Sequence, residues 1–305
     1  ADRSPIGHER EQPVRAMQLI VNVKGGLGNQ MFQYALGRKL ALANGTPLFL
    51  DLSFYDLNDG AHTQRPFELD AFALEYSPAT PEMLRPFQRL RSSRIQRMMP
   101  WRSHRIVTET GFGFDPAVLQ ATGNVYLDGH WQSEKYFDDV SATIRREFTY
   151  PLDAHPRIQE ALDAITRTNA VSVHVRRGDY ITSDSANAVH GACGVDHYER
   201  AMDLMLQQVN EPEFFVFSDD LQWARDHLRS KAPMHFVDLG DDVRAHNDMQ
   251  LMSRCKHHII ANSSFSWWGA WLNASVDKVV VAPKAWFRDP AIDTKDLIPT
   301  AWERM

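Results

Sequence analysis

The chain has 305 residues, enough for two hydrophobic cores, with 43% hydrophobic and 24% charged residues and no low-complexity tract. A net charge of −6 lacks the basic bias of a nucleic-acid-binding protein, so an anionic ligand would need a local cluster of cations. No run approaches the ~18 apolar residues of a membrane span, and two cysteines, Cys193 and Cys255, give neither a disulfide framework nor a zinc spacing and suit a reducing, cytoplasmic setting.

Residues 1–16, ADRSPIGHEREQPVRA, are polar and charged without an apolar centre, and read as a disordered extension. Folded sequence begins near Met17. Leu19 to Val23 read as a buried strand, broken by Gly25, Gly26 and Gly28. From Asn29 onward Phe32, Leu36, Leu40 and Ala43 recur at helical spacing and stop at Asn44-Gly45. PLFLDLS (47–53) is a second strand. Residues 54–122 are irregular and include RPFQRLRSSRIQRMMPWR, where the arginine recurrence predicts a solvated helical face; contact with an acceptor or a membrane surface is the alternative. NVYLDGHWQ (124–132) reads as a strand and SEKYFDDVSATIRREF (133–148) as a helix begun by Ser133.

After PLDAHP the elements alternate. Helix 157–168 leads to strand 170–176, and helix 197–209 to strand 213–219. A short helix around LQWARDHL precedes strand 234–239, NDMQLMSRC precedes strand 256–262, and helix 264–274 precedes strand 278–283. Such repetition predicts a mostly parallel sheet covered on both faces, and the first half is a shorter version of it. The expected fold is α/β: two Rossmann-like, doubly wound domains, 17–153 and 154–305, facing a cleft.

Ligands of such sheets sit beyond the carboxyl ends of the strands. VSVHVRRGDY places Arg176 and Arg177 at one such end. Alternation turns them to opposite sides, so one reaches the cleft, and Arg176 is the candidate. A guanidinium fork matches two phosphate oxygens, each charge-assisted bond contributing ~1.5–3 kcal/mol. For Arg177 an ion pair with Asp179 is the structural alternative. The turn KGGLGNQ lets a phosphate approach Gly26 and Gly28. It fails the dinucleotide fingerprint because Met31 replaces the last glycine, and it lacks the G-K-[ST] ending of a P-loop, so neither NAD nor ATP hydrolysis is supported.

NSSFSWWGAW follows a strand and opens a helix, making Asn262, Ser263, Ser264 and Phe265 candidate ligand contacts, with Ser266 among the same exposed N–H groups. Trp267, Trp268 and Trp271 fall at helical spacing and read as core. Two anion sites on one sheet fit a pyrophosphate. FSDD and NDMQ place Asp219 and Asp248 where each can accept from the N1–H and N2–H₂ edge of guanine or simply cap a helix. No Asp-x-Asp triplet occurs, so the usual carboxylate pair for a metal-bound sugar nucleotide is missing.

The motifs NVKGGLGNQMFQYALGR, GHWQSEKYF, VHVRRGDY, FSDD and DMQLMSRCKHHIIANSSFSWWGAWLN, in that order between Gln18 and Phe287, resemble those of the bacterial α-1,2-fucosyltransferases. The resemblance implies a GT-B-like fold with the nucleotide-sugar donor on the C-terminal domain and the acceptor on the N-terminal one. It implies transfer of L-fucose from GDP-β-L-fucose to the 2-hydroxyl of a terminal galactose, with inversion and without a metal. Carried over from related enzymes, His174 and Asp248 meet guanine, Arg176 holds the β-phosphate, Ser264 is the phosphate-binding serine and Asn29 approaches the donor. A role in lipopolysaccharide biosynthesis, with at most peripheral membrane contact, is also implied.

Arg176 is then expected to neutralise charge growing on GDP as the bond to fucose breaks. Asp179 is the expected supporting base and His190, in the loop AVHGACG, the alternative. Rival readings are a glycosyltransferase using another donor and a catalytically silent nucleotide-sugar-binding protein.

Overall fold

The computed structural model describes residues 17–56, 65–92, 104–149, 152, 154–182, 184–189 and 191–305. The extension 1–16, most of the arginine-rich stretch beyond Ser92, and His190 lie outside the described residues, as does the side chain of Asp179.

Two parallel sheets carry the molecule. The first contains β1 (Leu19–Asn22), β2 (Leu48–Asp51), β3 (Ser77–Pro78), β4 (His104–Thr108) and β5 (Asn124–Asp128), in the order β3-β2-β1-β5-β4. The second contains β6 (Asn169–Val175), β7 (Pro212–Ser218), β8 (Met234–Phe236), β9 (His257–Ile259), β10 (Val280–Ala282) and β11 (Glu303–Arg304), in the order β11-β10-β9-β6-β7-β8. Counted from β6, that is the 3-2-1-4-5-6 order of doubly wound dinucleotide folds, whose ligand crevice opens where the order reverses. Here the reversal lies between β6 and β9. In the first sheet it lies between β1 and β5.

The helices connect these strands: α1 (Leu27–Asn44), α2 (Pro81–Ser92), α3 (Ser141–Glu147), α4 (Pro156–Arg167), α5 (Gly178–Thr182), α6 (Asp184–Val189), α7 (Val195–Gln208), α8 (Leu221–His227), α9 (His246–Arg254) and α10 (Ser264–Leu272). β6 is buried on both faces from Ala170 to Val175, as a central parallel strand is, and its polar Ser172 is buried against His258 at 2.8 Å. α1 ends as its sequence directs: Gly45 adopts φ 58° and its N–H returns to the last turn, a left-handed stop that glycine takes without a Cβ penalty.

α10 decides how the halves meet. Its Trp267, Trp268 and Trp271 are buried core, packing on Phe32 of α1 and Phe137. The Trp268 indole N–H donates to the Gly28 carbonyl at 2.9 Å, and that of Trp267 to the Leu297 carbonyl at 2.9 Å. A Cβ on Gly28 would lie 2.5 Å from the Ser264 carbonyl carbon. Only glycine lets the N-termini of α1 and α10 touch, so Gly28 serves close approach, while Gly25, at φ 79°, serves the turn.

Two sequence expectations fail locally. The stretch 133–148 is not one helix: Ser133 opens a 3₁₀ turn over Glu134–Tyr136, a second follows over Asp138–Val140, and α3 begins only at Ser141. The break falls at Phe137, which leaves helical geometry (φ −142°, ψ 17°) as its ring stacks on Trp268. Strands β3 and β4 sit inside the stretch read as irregular. Within the arginine-rich segment, α2 buries Leu84, Phe87 and Leu90, while Arg91 reaches the Asp128 carboxylate at 2.6 Å and lies over the Tyr126 ring.

Candidate active site

The two reversal points face one cavity of ≈ 800 Å³. From the first domain come the turn Lys24–Asn29 and residues such as Phe54, Arg65, Glu68, His130 and Gln132. From the second come His174, Arg176, Tyr180, Asp219, Asp248 and the segment Asn262–Phe265.

The second-domain wall is built by strand ends. At the end of β6 the paired arginines diverge, as alternation requires. Arg176 enters the cavity, forms a 2.8 Å ion pair with Asp219 and lies 5.6 Å from the Tyr180 ring centroid. Arg177 turns away: its guanidinium stacks 3.9 Å over Trp223 and pairs with Asp220 at 3.3 Å. Among the described side chains its ion-pair partner is Asp220, and it is not among the described residues that line the cavity. Asp219 lines the cavity and does not cap a helix. Its carboxylate takes Arg176 on one oxygen and the Arg177 backbone N–H, at 2.9 Å, on the other; the cap of α8 is Asp220, which accepts from the Trp223 N–H. Asp219 thus fixes the direction of Arg176.

His174 is buried beside Phe265, 5.5 Å between ring centroids, and among the described residues its Nδ1 has no hydrogen-bond partner. Burial pushes its pKa down to about 4, with Asp219 opposing and Arg176 adding to the fall. The imidazole is neutral at pH 7, and a buried polar atom without a partner is what a ligand would satisfy. Asp248 lies in the first turn of α9; burial pushes its carboxyl up to about 7, the nearby Asp238 adding to the rise. Among the described residues Asp248 has no ion-pair partner, and a carboxylate in that setting is matched by a ligand edge rich in N–H donors.

At the end of β9 the chain enters α10 through Ser263, its N-cap, which makes no side-chain cap bond. Ser263, Ser264 and Phe265 line the cavity, with the first-turn N–H groups of α10 above them. Ser266 departs from expectation: its hydroxyl turns inward to the Ala261 and Ser263 carbonyls. Asn262 borders the cavity, and its side chain bonds to the Gly191 and Trp286 carbonyls and the Cys193 thiol, which anchors the loops around it.

On the first-domain wall, Gly26 and Gly28 line the cavity as expected, and Asn29 is held by the Gln132 amide, 2.7 Å to its Oδ1. Sequence reasoning missed Gln132, although it lies in GHWQ, and also Lys24, His130 and Glu68. Glu68 comes from the irregular segment, where no periodicity points to a site. Among the described residues, no group of three or more His, Cys, Asp or Glu converges as a metal site, and no helix is long and apolar enough to cross a membrane.

Comparison with known proteins agrees with this architecture. The description "Glycosyl transferase family 11" matches residues 8–304. An α-1,2-colitosyltransferase of Escherichia coli is 34% identical over 94% of this chain and 98% of its own length. A galactoside α-(1,2)-fucosyltransferase 2 of Sus scrofa is 27% identical over 83% of this chain and 68% of its own length. Among solved structures, a mutant of Arabidopsis thaliana FUT1 in complex with GDP aligns at a TM-score of 0.53 and 11% identity, covering 87% of this chain and 70% of that one. That likeness is one of fold, the GT-B-like pairing of two α/β domains.

Proposed function

The chain belongs to glycosyl transferase family 11, and on that premise we propose that it transfers L-fucose from GDP-β-L-fucose to the 2-hydroxyl of a terminal galactose, forming an α-1,2 linkage with inversion. The observation that carries this reading is the convergence of Arg176, the N-terminus of α10, His174 and Asp248 on one wall of a cavity that spans both domains. A phosphate end and a base end on the same wall suit a nucleoside diphosphate. His174 and Asp248 take guanine, Asp248 accepting from N1–H and N2–H₂. The pyrophosphate lies between Arg176 and the first turn of α10, with Ser263 and Ser264 beside it and Asn29 approaching from the other domain.

In the reaction, the acceptor oxygen attacks C1 of fucose opposite the pyrophosphate. The C1–O bond breaks, its electron pair leaves with GDP, and the hydroxyl proton is lost to a base. Guanidinium has five donors, so Arg176 can keep Asp219 and still bind the β-phosphate. Its charge is worth most as the leaving group becomes more anionic, the condition for accelerating the step. We assign it the part that a divalent ion plays in metal-dependent transferases. Asp179, on α5 three residues after Arg176, is the proposed supporting base. The free thiols Cys193 and Cys255 support a cytoplasmic setting.

A second donor reading, GDP-colitose, is favoured by the 34% identity to the colitosyltransferase. Incubation with GDP-fucose or GDP-colitose and a panel of β-galactosides, with and without a chelator, tests all of this. An α-1,2-fucosylated product at an unchanged rate in chelator is expected. Product from GDP-colitose alone would move the assignment to that sugar, no product from either donor would end it, and loss of turnover in chelator would remove the metal-free role of Arg176.

A further inference from the structure

We propose that Glu68 binds the ribose hydroxyls of the donor nucleotide, so that the first domain as well as the second reads the nucleoside. This rests on the GDP-donor reading and extends it across the cleft. Among the described residues three carboxylates line the cavity: Asp219, Asp248 and Glu68. Asp219 is taken up by Arg176 and the Arg177 N–H, and Asp248 stands at the base end of the second-domain wall. Of these three, Glu68 comes from the first domain.

Its place along the cavity is bracketed on both sides. Through Gln30, which receives its backbone N–H and donates to the Gly25 carbonyl, its segment is tied to the glycine turn beside Gly28, and Gly28 abuts Ser264 at the phosphate end. Two residues further on, Asp70 pairs at 2.8 Å with Arg244, which immediately precedes the cavity residue Ala245 and lies four positions before Asp248 at the base end. Between the phosphate and the base of a nucleotide lies the ribose. Two carboxylate oxygens suit the two adjacent hydroxyls of that ring, the pairing that doubly wound dinucleotide folds make with an acidic residue of their own sheet.

The segment is held rigidly enough to do this. Gln30, fully buried in α1, receives the Glu68 N–H at 2.9 Å and donates to the Pro66 and Gly25 carbonyls at 2.9 and 3.0 Å. Burial raises the Glu68 pKa, while Arg244, Arg65 and the Leu27 N–H act against the rise and Asp70 adds to it. The competing role is structural: Glu68 could serve only as a cap for α1, whose N-cap Gly26 offers no side chain.

Equilibrium binding of GDP and of 2′,3′-dideoxy-GDP to the wild type, Glu68→Gln and Glu68→Ala, with thermal unfolding in parallel, separates these roles. The wild type is expected to bind the dideoxy nucleotide about 10–100-fold more weakly, the loss of one or two charge-assisted hydrogen bonds. Both variants should compress that ratio to about threefold, chiefly by weakening GDP. A wild type that binds both nucleotides equally overturns the proposal and leaves the donor reading intact. So do variants that melt earlier but keep the wild-type ratio, as a pure helix cap would. A wild type that binds no GDP overturns both.

Discussion

The two domains are built from the same parts and used differently. In the second, the reversal of strand order falls where β6 and β9 end at the cavity, so Arg176 and the first turn of α10 are delivered by the sheet itself. In the first, the reversal between β1 and β5 is overlaid by Glu68, Phe54, His130 and Gln132, which arrive on turns and irregular segments. A wall made of strand ends can hold an invariant chemical group such as a pyrophosphate. A wall made of loops can be revised without disturbing the sheet.

The strongest way to break this comparison is to remove the cation that the second sheet delivers. Arg176→Ala should cost about 10²–10³ in kcat at saturating donor with the thermal midpoint little changed. Retention of more than about a tenth of turnover would place the anion stabiliser elsewhere.

The seam between the walls comes next. Gly28→Ala pushes a methyl group to within 2.5 Å of the Ser264 backbone. It should lower stability by about 1–3 kcal/mol and reduce activity by at least as large a factor as any loss of folded protein explains. Calorimetry and steady-state rates on the folded fraction would check it, and an undisturbed variant would mean that the domains do not meet through these two helices.

A pH titration sharpens the account of the base end. The Asp248 carboxyl, raised to about 7, must be ionised to accept from guanine. Affinity for GDP-fucose should therefore be flat above pH 7 and fall towards tenfold per unit below it, as binding expels a proton. His174, held near 4, does not titrate in that window. Asp248→Asn should abolish the slope; a slope that survives would belong to another group.

The smallest effect separates the neighbouring arginines. Arg177→Ala removes a cation–π contact and a partly exposed ion pair outside the cavity, so about 1 kcal/mol of stability and less than about threefold in kcat are expected. A large kcat loss would return Arg177 to the donor site.

Much of the second domain was legible along the chain. Strand 170–176 and helix 264–274 lie within two residues of β6 and α10, because long periodic runs report burial directly. The opposed directions of Arg176 and Arg177 follow from alternation alone. Less legible were the 3₁₀ turns after Ser133, where a helical pattern yields to the packing of Phe137 on Trp268, and β3 and β4, which are too short or too exposed to show a period. Asn262 and Ser266 sit in the right motif, yet their side chains turn to backbone carbonyls, a choice that depends on loops distant in sequence.

Local order in the chain therefore determined the long periodic strands and helices, the glycine turn and the cation at the end of β6, since each depends on neighbours within a few residues. Tertiary structure alone decided which carboxylate steadies Arg176, that Gly28 is a contact between domains, and that Glu68 reaches the cavity. Those outcomes depend on groups 38 to 236 positions apart, as between Gln30 and Glu68 or Gly28 and Ser264, and no periodicity in one segment encodes the position of another.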